Sequence, residues 1–374
     1  MSYFAVSAHR SMVFDEVRNR AYGEALRQVI QPTSVVLDLG AGTGVLGLMA
    51  ARLGAKRVYL VEPEDILAVG AEIVGANRLD AVVQCLQGRI EDVRLPERAD
   101  VVLSVFTGNF LFAEDLLPSL FYARDHALAP GGVLIPSAAT IEAVPVSAPD
   151  VHAREIGAWA APPFPGLDVS AARAYAANAI VFRKEGLREA RWLADPQTIG
   201  SLDFYQSEYA GVHAEATYEV TQSGWCHGWL GWFSINLGGR WLSTSPRDAS
   251  LHWSSVLLPL DPPMAFEAGE RVTFSLHRAP FADWSWSVSA GSGTQAHSTL
   301  LSAPISAATL RRARPDYVPT LNDKGRALLD VLAACDGGKT VGEIAGFLHV
   351  RYPGQFPERA DALAFVRTTV KRHG

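Results

Sequence analysis

Apolar positions along the chain fall into three successive patterns. Between residues 34 and 135, short apolar runs at 35–37, 57–61, 82–86, 100–104 and 133–135 read as strands, and the stretches 45–54 and 66–77 carry a helical period. Strands apolar on both faces and separated by helices predict a parallel sheet covered on both sides. Ahead of them, residues 10–30 predict one helix ending before Pro32, and Ala129-Pro130-Gly131-Gly132 predicts a tight turn before the last strand. From 137 to 310 the chain is rich in Val, Thr, Ser and Trp, in short alternating stretches such as 214–220 and 271–276. Turns at Gly238-Gly239, Ser245-Pro246 and Asp261-Pro262-Pro263 complete an all-β pattern, sandwich or barrel, interrupted by a helical stretch at 171–179. From 311 to 374, three helical patterns (323–334, 340–350 and 359–372) are separated by Asp336-Gly337-Gly338 and Tyr352-Pro353-Gly354. Thr340 with Glu343 three residues on predicts a capping box. The expected domains are therefore 1–136, 137–310 and 311–374.

Composition narrows the function. At 374 residues, with 48% hydrophobic and 19% charged residues, the chain suits a multidomain globular enzyme. A net charge of −6 leaves no overall basic field to hold nucleic acid. Cys85, Cys226 and Cys335 lie far apart, without metal-ligand spacing, so inert thiols and no metal are expected. The N-terminus lacks the basic-then-apolar pattern of a secretory signal. No run of ~18 apolar residues occurs; the stretch 35–55 is broken by Asp38 and five glycines. A cytoplasmic protein that neither spans a membrane nor binds nucleic acid is expected.

The strongest local signal is Val36-Leu37-Asp38-Leu39-Gly40-Ala41-Gly42-Thr43-Gly44, between a strand and a helix. Glycines there allow a tight turn and let a ligand approach the positive N-terminus of the helix. The spacing is G-x-G-x-G and not the dinucleotide pattern G-x-G-x-x-G. Asp38 would also repel a pyrophosphate, whereas a carboxylate suits a cationic amino-acid headgroup. The pattern D-x-G-x-G-x-G therefore predicts S-adenosylmethionine, with Glu62 at the end of the second strand accepting from the ribose hydroxyls.

These residues and their surroundings resemble the protein arginine N-methyltransferases over about residues 3–295. Tyr3, His9, Met12, Asp15, Arg18 and Tyr22 fit that family's N-terminal helix pattern in spacing. The resemblance implies that Arg18 pairs with the methionyl carboxylate, that His9 and Met12 line the cofactor, and that Tyr3 helps form a lid. In Gln87-Gly88-Arg89-Ile90-Glu91-Asp92, it implies cofactor contacts at Ile90 and Glu91, Glu91 taking the adenine amino group. Residues 129–140 look like the passage into the family's β-barrel. Residues 243–246 with Leu251-His252-Trp253 look like its His-Trp loop, and implied there are an Asp15–His252 pair that relays a proton and a substrate contact at Trp253. A helical arm near 160–182, apolar through Trp159, Phe164, Leu167 and Tyr175, resembles the segment by which members dimerise.

One loop departs from the family. Its members carry two glutamates nine residues apart that grip a guanidinium; here Glu114 stands at the second position and Val105 at the first. Phe106 replaces the usual Trp, Leu251 the usual Thr, and Asn109 and Asp115 complete the substrate loop. Removing one carboxylate from a buried guanidinium costs about 2–5 kcal/mol. The residues thus favour a neutral acceptor, with Glu114, His252 and Asp15 as catalytic groups. An arginine methyltransferase in which Asp115 or a substrate carboxylate fills in, and a scaffold that has lost its chemistry, are the alternatives.

The last sixty residues lie outside that resemblance. Residues 318–322, Leu328-Leu329 with Leu332, the segment 336–344 and Tyr352-Pro353 resemble PqqD-like winged-helix modules. Such modules bind leader peptides as an added edge strand. This implies a precursor peptide as partner and methylation in ribosomal peptide biosynthesis.

Overall fold

The computed structural model describes residues 5–161 and 164–373, the Arg372 side chain excepted; the expected lid residue Tyr3 lies outside them. The chain divides into two units, Met1–Pro304 and Ile305–Gly374.

The first unit begins with helices α1 (Val6–Val13) and α2 (Glu16–Val29). The single helix expected over 10–30 is broken at Asp15, whose carboxylate accepts the amide of Arg18 at 2.9 Å and caps α2. There follow β1 (Val35–Leu39), α3 (Val45–Arg52), β2 (Arg57–Glu62), α4 (Leu67–Ala76), β3 (Val83–Gln87), β4 (Ala99–Ser104), α5 (Leu117–His126) and β5 (Leu128–Ile135). The five strands form one parallel sheet in the order β3-β2-β1-β4-β5. All five residues of β1 are buried, which is why the sequence shows an unbroken apolar run there. The expected turn at 129–132 is instead part of β5: the strand pairs with β4 from Leu128 onward, and the extra residues form a bulge opposite Asp100. In this α/β topology the loop after β1, the end of β2 and the loop after β4 meet at the carboxyl edge of the sheet, where ligands of such folds sit.

The rest of the first unit is antiparallel. It contains β6 (Ala138–Ser147), α6 (Pro149–Glu155), α7 (Arg173–Ala176), β7 (Val181–Arg183), β8 (Arg191–Trp192), β9 (Gln197–Asp203), β10 (Val212–Glu219), β11 (Gly224–Leu237) and β12 (Arg240–Ser243). It ends with β13 (Ser255–Phe266), β14 (Arg271–Arg278), β15 (Ser285–Ala290) and β16 (Gly293–Ser298). One sheet runs β7-β13-β11-β6-β8, with β12 on β11 and β9 on β6; the other runs β10-β14-β15-β16. The buried Trp229 of the first stacks on Phe274 of the second at 4.8 Å, and Trp286 Nε1 donates to Pro259 O at 2.9 Å. The helix expected over 171–179 forms only in part: a short 3-10 turn at Ser170–Ala172 leads into the four-residue α7. Its Arg173 forks onto Asp261 of β13, with both bonds at 2.7 Å.

The second unit comprises α8 (Ala307–Arg312), α9 (Asp323–Ala334), α10 (Val341–Arg351) and α11 (Arg359–His373) around a small core of Ala327, Val331, Ile344, Leu348, Phe356 and Val366. The Thr340–Glu343 capping box is present. Among the described residues this unit has no strand, so the expected winged-helix form, with a sheet edge for a leader peptide, is not found. No helix among the described residues is long and apolar enough to cross a membrane.

Candidate active site

The loop after β1 is shaped by its glycines. Gly40 and Gly42 have φ of 68° and 55°, a region side chains rarely adopt. A Cβ on Gly40 would collide with the Phe106 ring, and one on Gly42 would stand 2.9 Å from the buried His9 ring. Phe106, expected against substrate, therefore closes on the glycine loop. Glu62 is fixed by two backbone amides: Gly42 N donates to its Oε2 at 2.9 Å and Glu64 N to its Oε1 at 3.0 Å. Asp38 receives Gly47 N at 2.7 Å, capping the first turn of α3. Burial pushes its carboxyl up to about 7, against the pull of the Gly47 amide and the Arg18 charge.

Arg18 is buried on α2 and hydrogen-bonds the neutral Asn19 Oδ1 through Nε (3.1 Å) and Nη2 (2.7 Å). Among the described residues no carboxylate lies within ion-pair distance of it. A buried cation in that condition suits an incoming carboxylate. Ser119 Oγ donates to Glu91 Oε1 at 2.6 Å. The buried Glu91 Oε2 makes no hydrogen bond, although Arg89 Nε lies 3.5 Å away. A buried acceptor left with only this long ion pair fits an amino group. Ile90 beside it is buried in the core, and Met12 is half-buried in the last turn of α1.

Asp15 joins two parts of the site. Its Oδ2 accepts both the backbone amide of His252 (2.7 Å) and His252 Nδ1 (2.9 Å). Burial alone would raise the Asp15 carboxyl, but the bonds from His252 and the Arg18 amide hold it below its usual range. Burial lowers His252 below the ordinary imidazole value, and the Asp15 bond offsets only part of this. Burial thus favours the neutral ring, and an ionised Asp15 favours the tautomer with its proton on Nδ1 and a lone pair at Nε2. Trp253, expected to contact substrate, is buried against Phe233, ring centroids 5.4 Å apart.

The loop between β4 and α5 carries Val105 and the half-buried Glu114. Tyr22 OH donates to Ser104 O at 2.8 Å at its start, and the Glu114 side chain packs on Gly108. Asn109, expected to face substrate, instead uses Oδ1 to accept Ser254 N at 2.8 Å and so ties this loop to the His252 segment. Asp115 does not fill in for the carboxylate missing at Val105. Arg278 grips both its oxygens at 2.8 and 2.6 Å, and the Phe281 amide adds a bond at 2.9 Å. Arg278 and Ser119 escaped the sequence reading. Ser119 lies 28 residues from its partner and Arg278 lies 163, with no local pattern to flag either.

Comparison with known proteins places this geometry in a family. Residues 137–288 fit the model of the arginine methyltransferase oligomerization subdomain, and residues 23–139 that of ribosomal protein L11 methyltransferase. Protein arginine N-methyltransferase 6 of Xenopus laevis is 32% identical over 290 residues, covering 74% of this chain and 85% of its own. Protein arginine N-methyltransferase 1 of Chlamydomonas reinhardtii is 31% identical over 291 residues, with 75% and 83% covered. In fold, the chain resembles the Trypanosoma brucei PRMT1 enzyme-prozyme heterotetrameric complex with AdoHcy, with a TM-score of 0.73 and 24% identity over 80% of this chain and 99% of that one. Protein arginine methyltransferase 10 of Arabidopsis thaliana gives 0.70 and 22%, over 79% and 99%. The expectation of a non-arginine acceptor in leader-directed peptide biosynthesis is overturned, since relatives spanning three-quarters of the chain are arginine N-methyltransferases. The chain belongs to the protein arginine N-methyltransferase family and is an S-adenosylmethionine-dependent methyltransferase.

Proposed function

We propose that the chain methylates a guanidinium nitrogen of arginine in a polypeptide. The observation that carries this reading is the Asn109–Ser254 bond, which ties the Glu114 loop to the segment that bears His252 and its partner Asp15. Arg18, Asp38, Glu62, Ile90 and Glu91, with His9 and Met12 and the loop of Gly40, Gly42 and Gly44, hold the cofactor: Arg18 takes its carboxylate, Glu62 its ribose hydroxyls and Glu91 Oε2 its amino group. The bound cofactor supplies an electrophilic methyl group on a sulfonium whose leaving form is a neutral thioether.

Glu114 accepts N–H bonds from the guanidinium and draws its positive charge toward the nitrogens it touches. That leaves electron density on the nitrogen aimed at the methyl group. Once that nitrogen gains a methyl group it must lose one proton, and His252 Nε2 takes it, the resulting imidazolium being stabilised by Asp15. Val105 offers no second carboxylate, so the guanidinium is held by one negative charge at that end of the loop.

Two further roles belong to this reading. Trp159, Phe164, Leu167 and Tyr175 are 41 to 68% exposed near the Arg173–Asp261 fork, and they form a homodimer contact. The C-terminal unit recruits the polypeptide substrate. Because it lacks a strand among the described residues, contact would be through the exposed face of α9 (Leu328, Leu329, Leu332) and not by strand addition.

Glu114→Gln tests the proposal. It should abolish methylation of an arginine peptide while leaving calorimetric affinity for S-adenosylhomocysteine within about a factor of two, a change well under 1 kcal/mol. Full activity in this variant would refute the role of Glu114.

A further inference from the structure

The loop that carries Glu114 holds three non-glycine residues in the left-handed region. Phe110, Leu111 and Asp115 have φ of 53°, 65° and 52°. Such conformations persist only where the surroundings over-determine them. Here the surroundings are the hairpin tip between β14 and β15. Arg278, the last residue of β14, is 5% exposed in its side chain and forks onto Asp115. The Phe281 amide adds a third bond to the same carboxylate. Trp284, buried, stacks on Phe110 with centroids 5.1 Å apart and lies 6.3 Å from Phe112. The Arg278 guanidinium carbon is 5.3 Å from the Trp284 ring centroid.

We propose that Arg278 is a positioning residue for methyl transfer: through Asp115 and Trp284 it holds the strained loop in the form that presents Glu114 to the acceptor. The inference rests on the reading of Glu114 as the guanidinium-binding carboxylate. It also has a charge consequence. Arg278 and Asp115 cancel each other, so Glu114, next to Asp115 in the chain, meets the substrate cation with no net charge from this pair beside it. Removing Asp115 alone would leave a shielded cation close to where a guanidinium must bind. Removing Arg278 alone would leave an anion there and a slack loop. The two changes should therefore differ in kind: Asp115→Asn raises KM, and Arg278→Met lowers kcat.

The experiment compares Asp115→Asn, Arg278→Lys and Arg278→Met with the unmodified chain. Steady-state kinetics on an arginine peptide would be read beside calorimetry with S-adenosylhomocysteine and amide hydrogen exchange across residues 108–115. Arg278→Met should lose about 100-fold in kcat, the scale of a small misplacement in an active site. It should keep its cofactor affinity and exchange faster across 108–115. Arg278→Lys, which keeps the charge but not the fork, should recover part of kcat, and Asp115→Asn should act mainly on KM. Should Arg278→Met fail to fold, the Lys and Asn variants carry the same kinetic split. Unchanged exchange with unchanged kcat and KM would overturn the role of Arg278. Absence of arginine methylation by the unmodified chain would instead count against the function proposed above, and the exchange measurement would still decide the positioning role.

Discussion

His252 is the residue whose behaviour is most constrained by its neighbours. Asp15 takes both its amide and its Nδ1, and burial favours the neutral ring. A histidine with a lowered folded value is destabilising once the unfolded chain can take up a proton that the native ring refuses. Stability is therefore full above the ordinary value of 6.5 and falls as pH drops below it. Turnover should follow the folded value: kcat holds at neutral pH and declines on an acid limb beginning below 6.5. In Asp15→Asn that limb should move to lower pH, because the anion that offsets the effect of burial is gone. A pH profile of kcat identical in the two proteins would separate His252 from the chemistry. Val105 bears on binding in the same site. Val105→Glu restores a second carboxylate toward the guanidinium and should raise kcat/KM on arginine peptides about 10-fold or more, or about 1.4 kcal/mol. No change would mean that the guanidinium does not reach position 105.

At the scale of elements, what could be read from the sequence was what neighbours in the chain decide. The buried strand β1, its glycine loop and the ends of α9, α10 and α11 follow from local apolar pattern and capping residues such as Thr340. What could not be read depends on distant partners. The helix expected over 10–30 breaks at Asp15, one oxygen of which caps α2 locally while the other is taken by a histidine 237 residues away. The turn expected at 129–132 is drawn into β5 by pairing with β4, and α7 stops after four residues. In the site, the shape of the glycine loop was legible because a strand–glycine–helix passage is contiguous. The contacts of Asn109, Asp115 and Trp253 were not legible, since their partners Ser254, Arg278 and Phe233 come from elsewhere in the fold. The arm offers a prediction of its own. Light scattering at micromolar concentration should give twice the mass of one chain, and Phe164→Glu with Leu167→Glu should give one. A monomer in the unmodified protein would contradict the arm's role.

The whole molecule couples a cofactor-binding sheet and an antiparallel domain in one unit, with a separate helical unit behind them in sequence. If that last unit recruits substrate, removing residues 305–374 should raise KM for a folded or long polypeptide substrate while leaving kcat on a short arginine peptide intact. Equal KM values for the long substrate would leave the unit without that role. The central claim, that one carboxylate and a buried Asp15–His252 pair suffice to methylate arginine, is tested most directly by tandem mass spectrometry. An arginine-containing peptide and its lysine counterpart would each be incubated with the unmodified protein and S-adenosylmethionine. The account predicts a methyl group on the guanidinium nitrogens of the arginine peptide and none on its counterpart. Methylation that falls on another residue, or on both peptides alike, would contradict it.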